Sequence, residues 1–260
     1  MKQNFARTLS ILLVLSAIVG AAPLFADENT VNLESVIVQN FSDPAAQNWF
    51  VMGSKFATKT FPRLTFAKAW PQSLYGYDTA GKDIRSLGIA MLYDRQEYNW
   101  VDIVPGTKGS DGKFSPTELP LPGRVKMLDL WVWSGNYEYY LEAYVRDYTG
   151  VVHTINMGDL NFVGWKNVRI NVPENIPQAR KYLPKKESLS LVKFRIWTRP
   201  TEKVVIPTND PKATDIDRAV KFYFSNIKVL TDTYESLFDG DNLTQPGIVK
   251  DTWGTTGTGK

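Results

Sequence analysis

The stretch that decides the fold class is Val125–Ser134, which reads VKMLDLWVWS. One face of this stretch carries Leu128, Leu130 and Val132, and the other carries Met127, Asp129, Trp131 and Trp133. Alternation with a period of two residues is typical of a β-strand with one buried face. The sequence therefore predicts a two-faced strand here, with the leucines and the valine toward the core.

A second alternating stretch occupies residues 137–148 and reads YEYYLEAYVRDY. The turn-forming residues 134–136 separate it from the first strand, and this spacing predicts that the two strands form an antiparallel hairpin. Residues 149–150 are Thr-Gly and predict another turn, into a strand at residues 151–158.

The remaining strands follow from the same alternation. They are predicted at residues 34–41, 59–66, 86–93, 98–105, 165–173, 191–199 and 220–230. Pro62 restricts its strand to an edge or a bulge, because proline cannot donate a ladder hydrogen bond. From Asp27 to Phe238 no stretch of helical length has a period of 3.6 residues. We therefore predict an all-β fold, a two-sheet antiparallel β-sandwich of jelly-roll type whose first and last strands pair.

Composition supports this fold class and narrows the chemistry. Aromatic residues make up 13% of the chain, and such side chains fit a pleated, half-buried surface well. The chain contains no cysteine, which excludes disulfide bonds, thiol catalysis and cysteine-ligated zinc. Its stability must therefore come from the apolar core.

The N-terminus has the pattern of a secretory signal. Lys2 and Arg7 precede an apolar run from Leu9, and Ala26 precedes Asp27, where the mature chain is expected to start. An uncleaved anchor is the alternative, although the run is shorter than the ~20 residues of a spanning helix. The predicted parts are thus a signal peptide at 1–26, a β-sandwich domain at 27–240 and a flexible Gly/Thr-rich tail at 241–260.

The mature chain would be nearly neutral. Without the two cations of the signal, 28 basic residues face 27 acidic ones. Such a balance argues against nucleic acid as a partner. Turn-forming residues further predict exposed loops at 106–123 and 207–217.

The sequence offers little for catalysis. His153 is the only histidine and lies within a predicted strand. The sequence contains no Gly-x-Ser-x-Gly motif, which would place a serine nucleophile beside a histidine base. Glycoside hydrolysis would need two carboxylates, and the candidates on neighbouring strands are Glu138, Glu142, Asp129 and Asp147. We expect these carboxylates to belong to a solvated sheet face, and the chain not to be an enzyme.

No cofactor is expected. A structural calcium near Asn40, Ser42 and Asn226 stays open, because the first and last strands would bring these residues together. Calcium prefers several oxygen ligands that include carboxylates, so hydrogen bonding between these side chains is the favoured interpretation.

The polar face of the predicted central sheet combines large aromatic residues with charged ones. Its members are Trp131, Trp133, Glu142, Tyr144, Arg146, Lys193, Arg195 and Trp197. Aromatic residues and arginine are preferred in interface cores, so this face is a candidate protein-contact surface. Two alternatives are that loops such as 106–123 bury these rings, or that a register shift of one residue exchanges the faces.

Three segments resemble one known family, the spirochaete flagellar filament outer-layer (sheath) proteins. The segments are LWVWSGNYEYYLEAYVRDYTG (130–150), MGDLNFVGWKNVRINVP (157–173) and VKFYFSNIKVLTD (220–232). The shared pattern is a Trp-Val strand, a Tyr-rich strand, an Asp-x-x-Gly turn and a Leu-x-Phe-x-Gly-Trp-Lys segment. The resemblance covers most of the mature chain.

The resemblance implies a fold similar to carbohydrate-binding and galactose-binding modules. It also implies a periplasmic protein that coats the flagellin core of periplasmic flagella, contacts other coat proteins and its own copies on a helical lattice, and supports filament shape and motility. A periplasmic carbohydrate-binding module, in which the same rings stack on sugars, is the alternative function.

Overall fold

The computed structural model describes residues 31–42, 49–77, 82–180, 186–234 and 240–254. The predicted signal peptide lies outside these ranges. None of the helices in the described ranges combines the length and the apolar character that a bilayer crossing requires.

Thirteen β-strands are found in the described residues. They are β1 (Leu33–Gln39), β2 (Trp49–Gly53), β3 (Arg63–Ala67), β4 (Ser86–Met91), β5 (Trp100–Lys108), β6 (Phe114–Pro116), β7 (Leu119–Pro120), β8 (Arg124–Gly135), β9 (Tyr140–Arg146), β10 (Val152–Asp159), β11 (Val163–Asn171), β12 (Ser190–Trp197) and β13 (Val220–Asp232). Three short α-helices are α1 (Gln72–Tyr75), α2 (Asp215–Arg218) and α3 (Pro246–Trp253), and a 3-10 helix covers Asp241–Thr244.

The strands form two antiparallel sheets. Sheet A has the order β11-β8-β13-β4-β3, with β1 also paired to β13. Sheet B has the order β10-β9-β12-β5-β2, with β6 paired to β5 and β7 to β12. The predicted all-β sandwich and the pairing of the first long strand with the last are therefore confirmed.

The core lies between the two sheets. Leu130 of β8 and Leu141 of β9 are fully buried in one apolar cluster, although they belong to different sheets. Phe194 of β12 and Phe224 of β13 stack across the same layer, with ring centroids 6.5 Å apart and planes 7° apart. Alternation along these strands places every second side chain in this core.

The predicted hairpin between β8 and β9 is wrong. β8 pairs with β11 and β13 in sheet A, whereas β9 pairs with β10 and β12 in sheet B. The chain changes sheets after β8, where Asn136 takes a left-handed conformation with φ of 67°. The apolar faces of the two strands thus meet across the core instead of lying side by side.

The segment 106–123 is not wholly a loop. Gly106 still belongs to β5, and β6 folds back on it as a hairpin. Short β7 then pairs with β12. In the tail, α3 forms where the sequence indicated a Gly/Thr-rich segment, and the mobility of the tail stays a prediction.

Candidate functional site

The eight residues predicted to share one face lie on opposite sides of the sandwich. Trp131 and Trp133 point away from the core on β8, in sheet A. The other six point away from the core on β9 and β12, in sheet B. This separation follows from the change of sheet between β8 and β9. We call the outward surface of Asp102, Glu142, Tyr144, Lys193, Arg195 and Trp197 the sheet B face.

Asp102 anchors the sheet B face. This residue of β5 is only 2% exposed, and it lies opposite Arg195 in the strand register. Its Oδ2 accepts hydrogen bonds from Lys193 Nζ at 2.9 Å and from Arg195 Nη2 at 2.8 Å. The hydrogen bond to Asp102 raises the pKa of the Arg195 guanidinium, although burial opposes this shift. A buried carboxylate held by two cations makes this part of the face rigid.

Sequence reasoning missed Asp102. The residue sits at an alternate position of the predicted strand 98–105, so period-two alternation would have placed it on the polar face. Its role depends on the register between β5 and β12, which alternation alone does not give.

Glu142 ties the aromatic rings to the same face. Its Oε2 accepts hydrogen bonds from the Tyr144 hydroxyl and from Trp197 Nε1, both at 2.8 Å. Burial raises the pKa of Tyr144, and the hydrogen bond to Glu142 raises it further. The Arg195 guanidinium lies 4.4 Å from the ring centroid of Trp100 and 5.1 Å from that of Trp197. Rings and charges therefore hold one another in fixed positions.

The face extends at both ends. At one end Tyr140 stacks on Trp197, with centroids 6.3 Å apart and planes 15° apart. At the other end Arg146 Nε donates to Glu118 Oε1 at 2.7 Å. Glu118 belongs to the segment 106–123, so part of that segment adjoins the face. The alternative in which 106–123 covers the predicted rings does not apply to Trp131 and Trp133, which lie in the other sheet.

The outward side of sheet A carries a second aromatic group. Trp133 meets Tyr223 edge-on, with centroids 5.5 Å apart and planes 79° apart. Gly88 lies against the ring of Tyr223. A Cβ at this position would come within 3.0 Å of that ring, so the close approach requires glycine. Asp129 on the same side lies 3.5 Å from Lys228 Nζ.

A row across sheet A contains buried polar atoms without hydrogen-bond partners. The atoms are Trp131 Nε1, Asn167 Oδ1 and Ser225 Oγ. Asn167 and Ser225 are the cross-strand neighbours of Trp131 on either side.

The cross-strand pair of carboxylates Asp129 and Glu142, considered for glycoside hydrolysis, does not form. Asp129 lies in sheet A and Glu142 in sheet B, so the two cannot face each other across neighbouring strands. Asp147 is buried and bound to His153, whose Nε2 lies 2.7 Å from Asp147 Oδ2. His153 thus helps hold the turn between β9 and β10.

Two of the residues considered for calcium, Asn40 and Asn226, make side-chain hydrogen bonds within the protein, although Asn226 Oδ1 is buried without a partner in the described part of the chain. Asn40 Oδ1 accepts from the Ser42 backbone N–H at 3.0 Å, and Asn226 Nδ2 lies 2.6 Å from the Tyr75 hydroxyl. Within the described ranges, no three His, Asp or Glu side chains are grouped as metal ligands. The expectation of hydrogen bonding rather than calcium at this position stays a prediction.

Comparison with known proteins identifies sequence and structural relatives. The family model of the flagellar filament outer layer protein FlaA matches residues 30–238. A flagellar filament outer layer-like protein of Brachyspira hyodysenteriae is 28% identical over 116 residues, which are 45% of this chain and 49% of that protein. The chain thus spans about half the length of the curated relative that it matches.

Comparison with solved structures finds carbohydrate-binding modules of low sequence identity. The family 11 carbohydrate-binding module of the cellulase Lic26A-Cel5E of Clostridium thermocellum is 12% identical, with a TM-score of 0.38 over 80% of this chain and 99% of the module. TmCBM61, solved with β-1,4-galactotriose, is 16% identical, with a TM-score of 0.35 over 72% of this chain and 90% of that one.

Proposed function

The chain belongs to the FlaA family of flagellar filament outer layer proteins, and on that premise we propose that it is a structural, non-catalytic subunit of the sheath of periplasmic flagellar filaments. In this role it contacts the flagellin core and neighbouring coat subunits, and it supports filament shape and motility. The observation that carries the proposal is the family match, which spans residues 30–238 and so includes both sheets.

The sheet B face is the proposed contact surface. Its rings and charges are already hydrogen-bonded to one another, so a partner that binds there orders few side chains. Tryptophan, tyrosine and arginine are also the residues that dominate binding energy at interfaces. A coat needs only weak contacts of this kind, because many copies on one lattice make many such contacts at once and the overall binding is strong.

The test is binding to isolated flagellar filaments. Trp197→Ser removes a ring that stacks on Tyr140 and donates to Glu142, and we expect about tenfold weaker cosedimentation with filament cores. Tyr77→Ser is the matched control, because Tyr77 is 85% exposed and lies outside the sheet B face. Circular dichroism and thermal melting establish that both variants fold.

One result would overturn the coat role, and another would overturn the assignment of the sheet B face. One is cryo-tomography in which purified periplasmic filaments have the same outer layer with and without this chain. The other is wild-type cosedimentation of a folded Trp197→Ser variant, which would remove the sheet B face from the contact.

A carbohydrate-binding role is the second candidate. The observation that favours it is the parallel pair of Tyr140 and Trp197, because planar rings beside carboxylates and guanidinium groups suit the stacking and hydrogen bonding of sugars. Calorimetry with oligosaccharides tests this role. Saturable heat that is lost in Trp197→Ser would support it, and absence of heat across a broad glycan set would exclude it.

A further inference from the structure

An apolar groove opens where the two sheets end. β3 ends sheet A and β2 ends sheet B, and the cavity beside them has a volume of about 1000 Å³. Its aromatic lining consists of Trp49, Phe50, Phe66 and Phe114. We call this cavity the edge groove. Its volume is at the upper end of the range for sites that take a drug-sized ligand or a side-chain cluster.

The walls of the edge groove are preformed and partly exposed. Phe50 of β2 stacks on Phe114 of β6, with centroids 4.8 Å apart and planes 21° apart. Phe50 is nevertheless 41% exposed, and Met52 beside it is 45% exposed. Exposed apolar surface of this kind commonly marks a contact with another molecule.

Among the residues that the structure describes, the charged side chains that line the edge groove are all cations. They are Arg85, Lys108 and Lys113. Asp83 lies 2.9 Å from Arg85 and Asp111 lies 3.8 Å from Lys113, but neither carboxylate is part of the lining. The groove therefore favours an apolar partner that brings no net positive charge.

The C-terminal helix α3 has the complementary character. None of its side chains is buried, and Trp253 is 77% exposed. Val249 is 40% exposed and lies four residues before Trp253, so the two side chains share one face of the helix. A helix of eight residues is marginal in water by itself and is normally stabilised by packing of an apolar face.

The helix does not fill the groove of its own chain. No residue of 242–254 is among the described residues that line the edge groove. Helix α3 carries Lys250 and Asp251 and is formally neutral, so it brings no net positive charge to the cationic lining.

We propose that α3 of one copy docks in the edge groove of the next copy, with Trp253 among the four aromatic rings. The proposal rests on the proposed function as a coat subunit, and it names the contact between neighbouring subunits. A contact between two different surfaces of the same chain repeats from copy to copy and builds an open helical array when the rotation between copies does not close into a ring. An outer layer around a filament requires such an array.

Sedimentation velocity of the purified chain over a range of concentrations tests the contact. We expect concentration-dependent self-association that is about tenfold weaker in Trp253→Ser and in Phe50→Ser. Tyr98→Ser is the control, because Tyr98 is 64% exposed and belongs to neither the groove lining nor α3. Thermal melting establishes that the Phe50 variant folds.

Mixing the two variants decides the geometry. Phe50→Ser keeps an intact helix and Trp253→Ser keeps an intact groove, so an equimolar mixture should form dimers that do not extend further. A mixture that stays monomeric would overturn head-to-tail docking, and so would a Trp253→Ser protein that associates like the wild type.

The outcomes also separate this inference from the proposed function. Trp253→Ser protein that still coats filaments with wild-type density would reject the α3 contact and leave the coat role intact. If the protein self-associates through α3 but is absent from filaments, the coat role is rejected and the α3 contact is kept.

Discussion

At the scale of single residues, Asp147 links the turn between β9 and β10 to the first residues of β10. Its Oδ1 accepts hydrogen bonds from the backbone N–H of Thr149 at 2.8 Å and from that of Val151 at 3.1 Å. Its Oδ2 lies 2.7 Å from His153 Nε2. Burial raises the pKa of this carboxyl, but the hydrogen bonds from His153, Thr149 and Val151 outweigh burial and lower the pKa from 3.8 to about 2.

This shift gives the stability of the protein a defined acid dependence. Because the pKa is lower in the folded chain than in the unfolded one, the stabilisation by Asp147 is fully present above about pH 4 and is lost as the pH falls toward 2. Asp147→Asn should lower the free energy of unfolding near neutral pH by about 2 kcal/mol, because it removes charge-assisted hydrogen bonds at a buried site.

Thermal melting between pH 2 and pH 7 measures this effect. The difference in melting temperature between wild type and Asp147→Asn should shrink from pH 4 to pH 2. Asp111→Asn is the control, because Asp111 lies in an exposed turn and should leave the profile nearly unchanged. A constant difference across the whole pH range would show that Asp147 does not act through its ionised form.

At the scale of secondary structure elements, a row of charged side chains joins β5, β12 and β9. Asp102 lies opposite Arg195, and Arg195 lies opposite Glu142. Asp102→Ala would leave Lys193 and Arg195, which are only 21% and 17% exposed, without their buried counter-ion. We expect a loss of about 3 kcal/mol in the free energy of unfolding, as for the breaking of other buried ion pairs.

Chemical denaturation measures this loss, and two further variants isolate its cause. Arg195→Met in the Asp102→Ala background should restore part of the stability, because it removes one of the uncompensated cations. Asp159→Ala breaks the more exposed pair with Arg199 and should cost less than about 1 kcal/mol. Equal losses for Asp102→Ala and Asp159→Ala would contradict the special role of the buried row.

The elements also show what the sequence could and could not predict. Alternation identified β8, β9, β12 and β13, and it placed Leu128, Leu130 and Val132 of β8 in the core, because burial of one face imposes that pattern on each strand alone. Alternation does not say which strands are neighbours. Leu130 and Leu141 show the same alternation whether they lie in one sheet or in two. The hairpin prediction therefore failed at residue 136, and the predicted contact surface joined residues of two different sheets.

Short elements were missed for a different reason. β2 has five residues and β6 three, which is too few for a periodic pattern to stand out. Both contribute to the edge groove through Phe50 and Phe114. Its aromatic lining arises from strands far apart in the chain, so no local pattern could have predicted it.

At the scale of the whole molecule, the sandwich presents different chemistry on its two sides. Sheet B carries the hydrogen-bonded charges around Asp102, and sheet A carries Trp131, Trp133 and Tyr223. Variants on the two sides share no contacts, so their effects on stability should be additive. A subunit with two such sides and a groove at the sheet edges can meet a filament core and its neighbours through separate surfaces.

The first long strand, β1, pairs with the last strand, β13. An engineered disulfide can test this pairing, because the chain has no cysteine of its own. Ser35 lies opposite Leu230 in that pair, at the Cα spacing that a disulfide can bridge. The variant Ser35→Cys with Leu230→Cys should oxidise readily, because no other thiol competes. The closed loop spans nearly the whole sandwich, so we expect about 3 kcal/mol of added stability.

Mass spectrometry after oxidation and thermal melting with and without reductant measure the two effects. Ser35→Cys with Met127→Cys is the matched control, because Met127 lies opposite Leu230 on the far side of β13. Two strand spacings then separate the thiols by about 10 Å, which is too far for a bridge. Equal oxidation of both pairs would place β1 elsewhere in sheet A, and the closing of the fold by its first and last long strands would have to be abandoned.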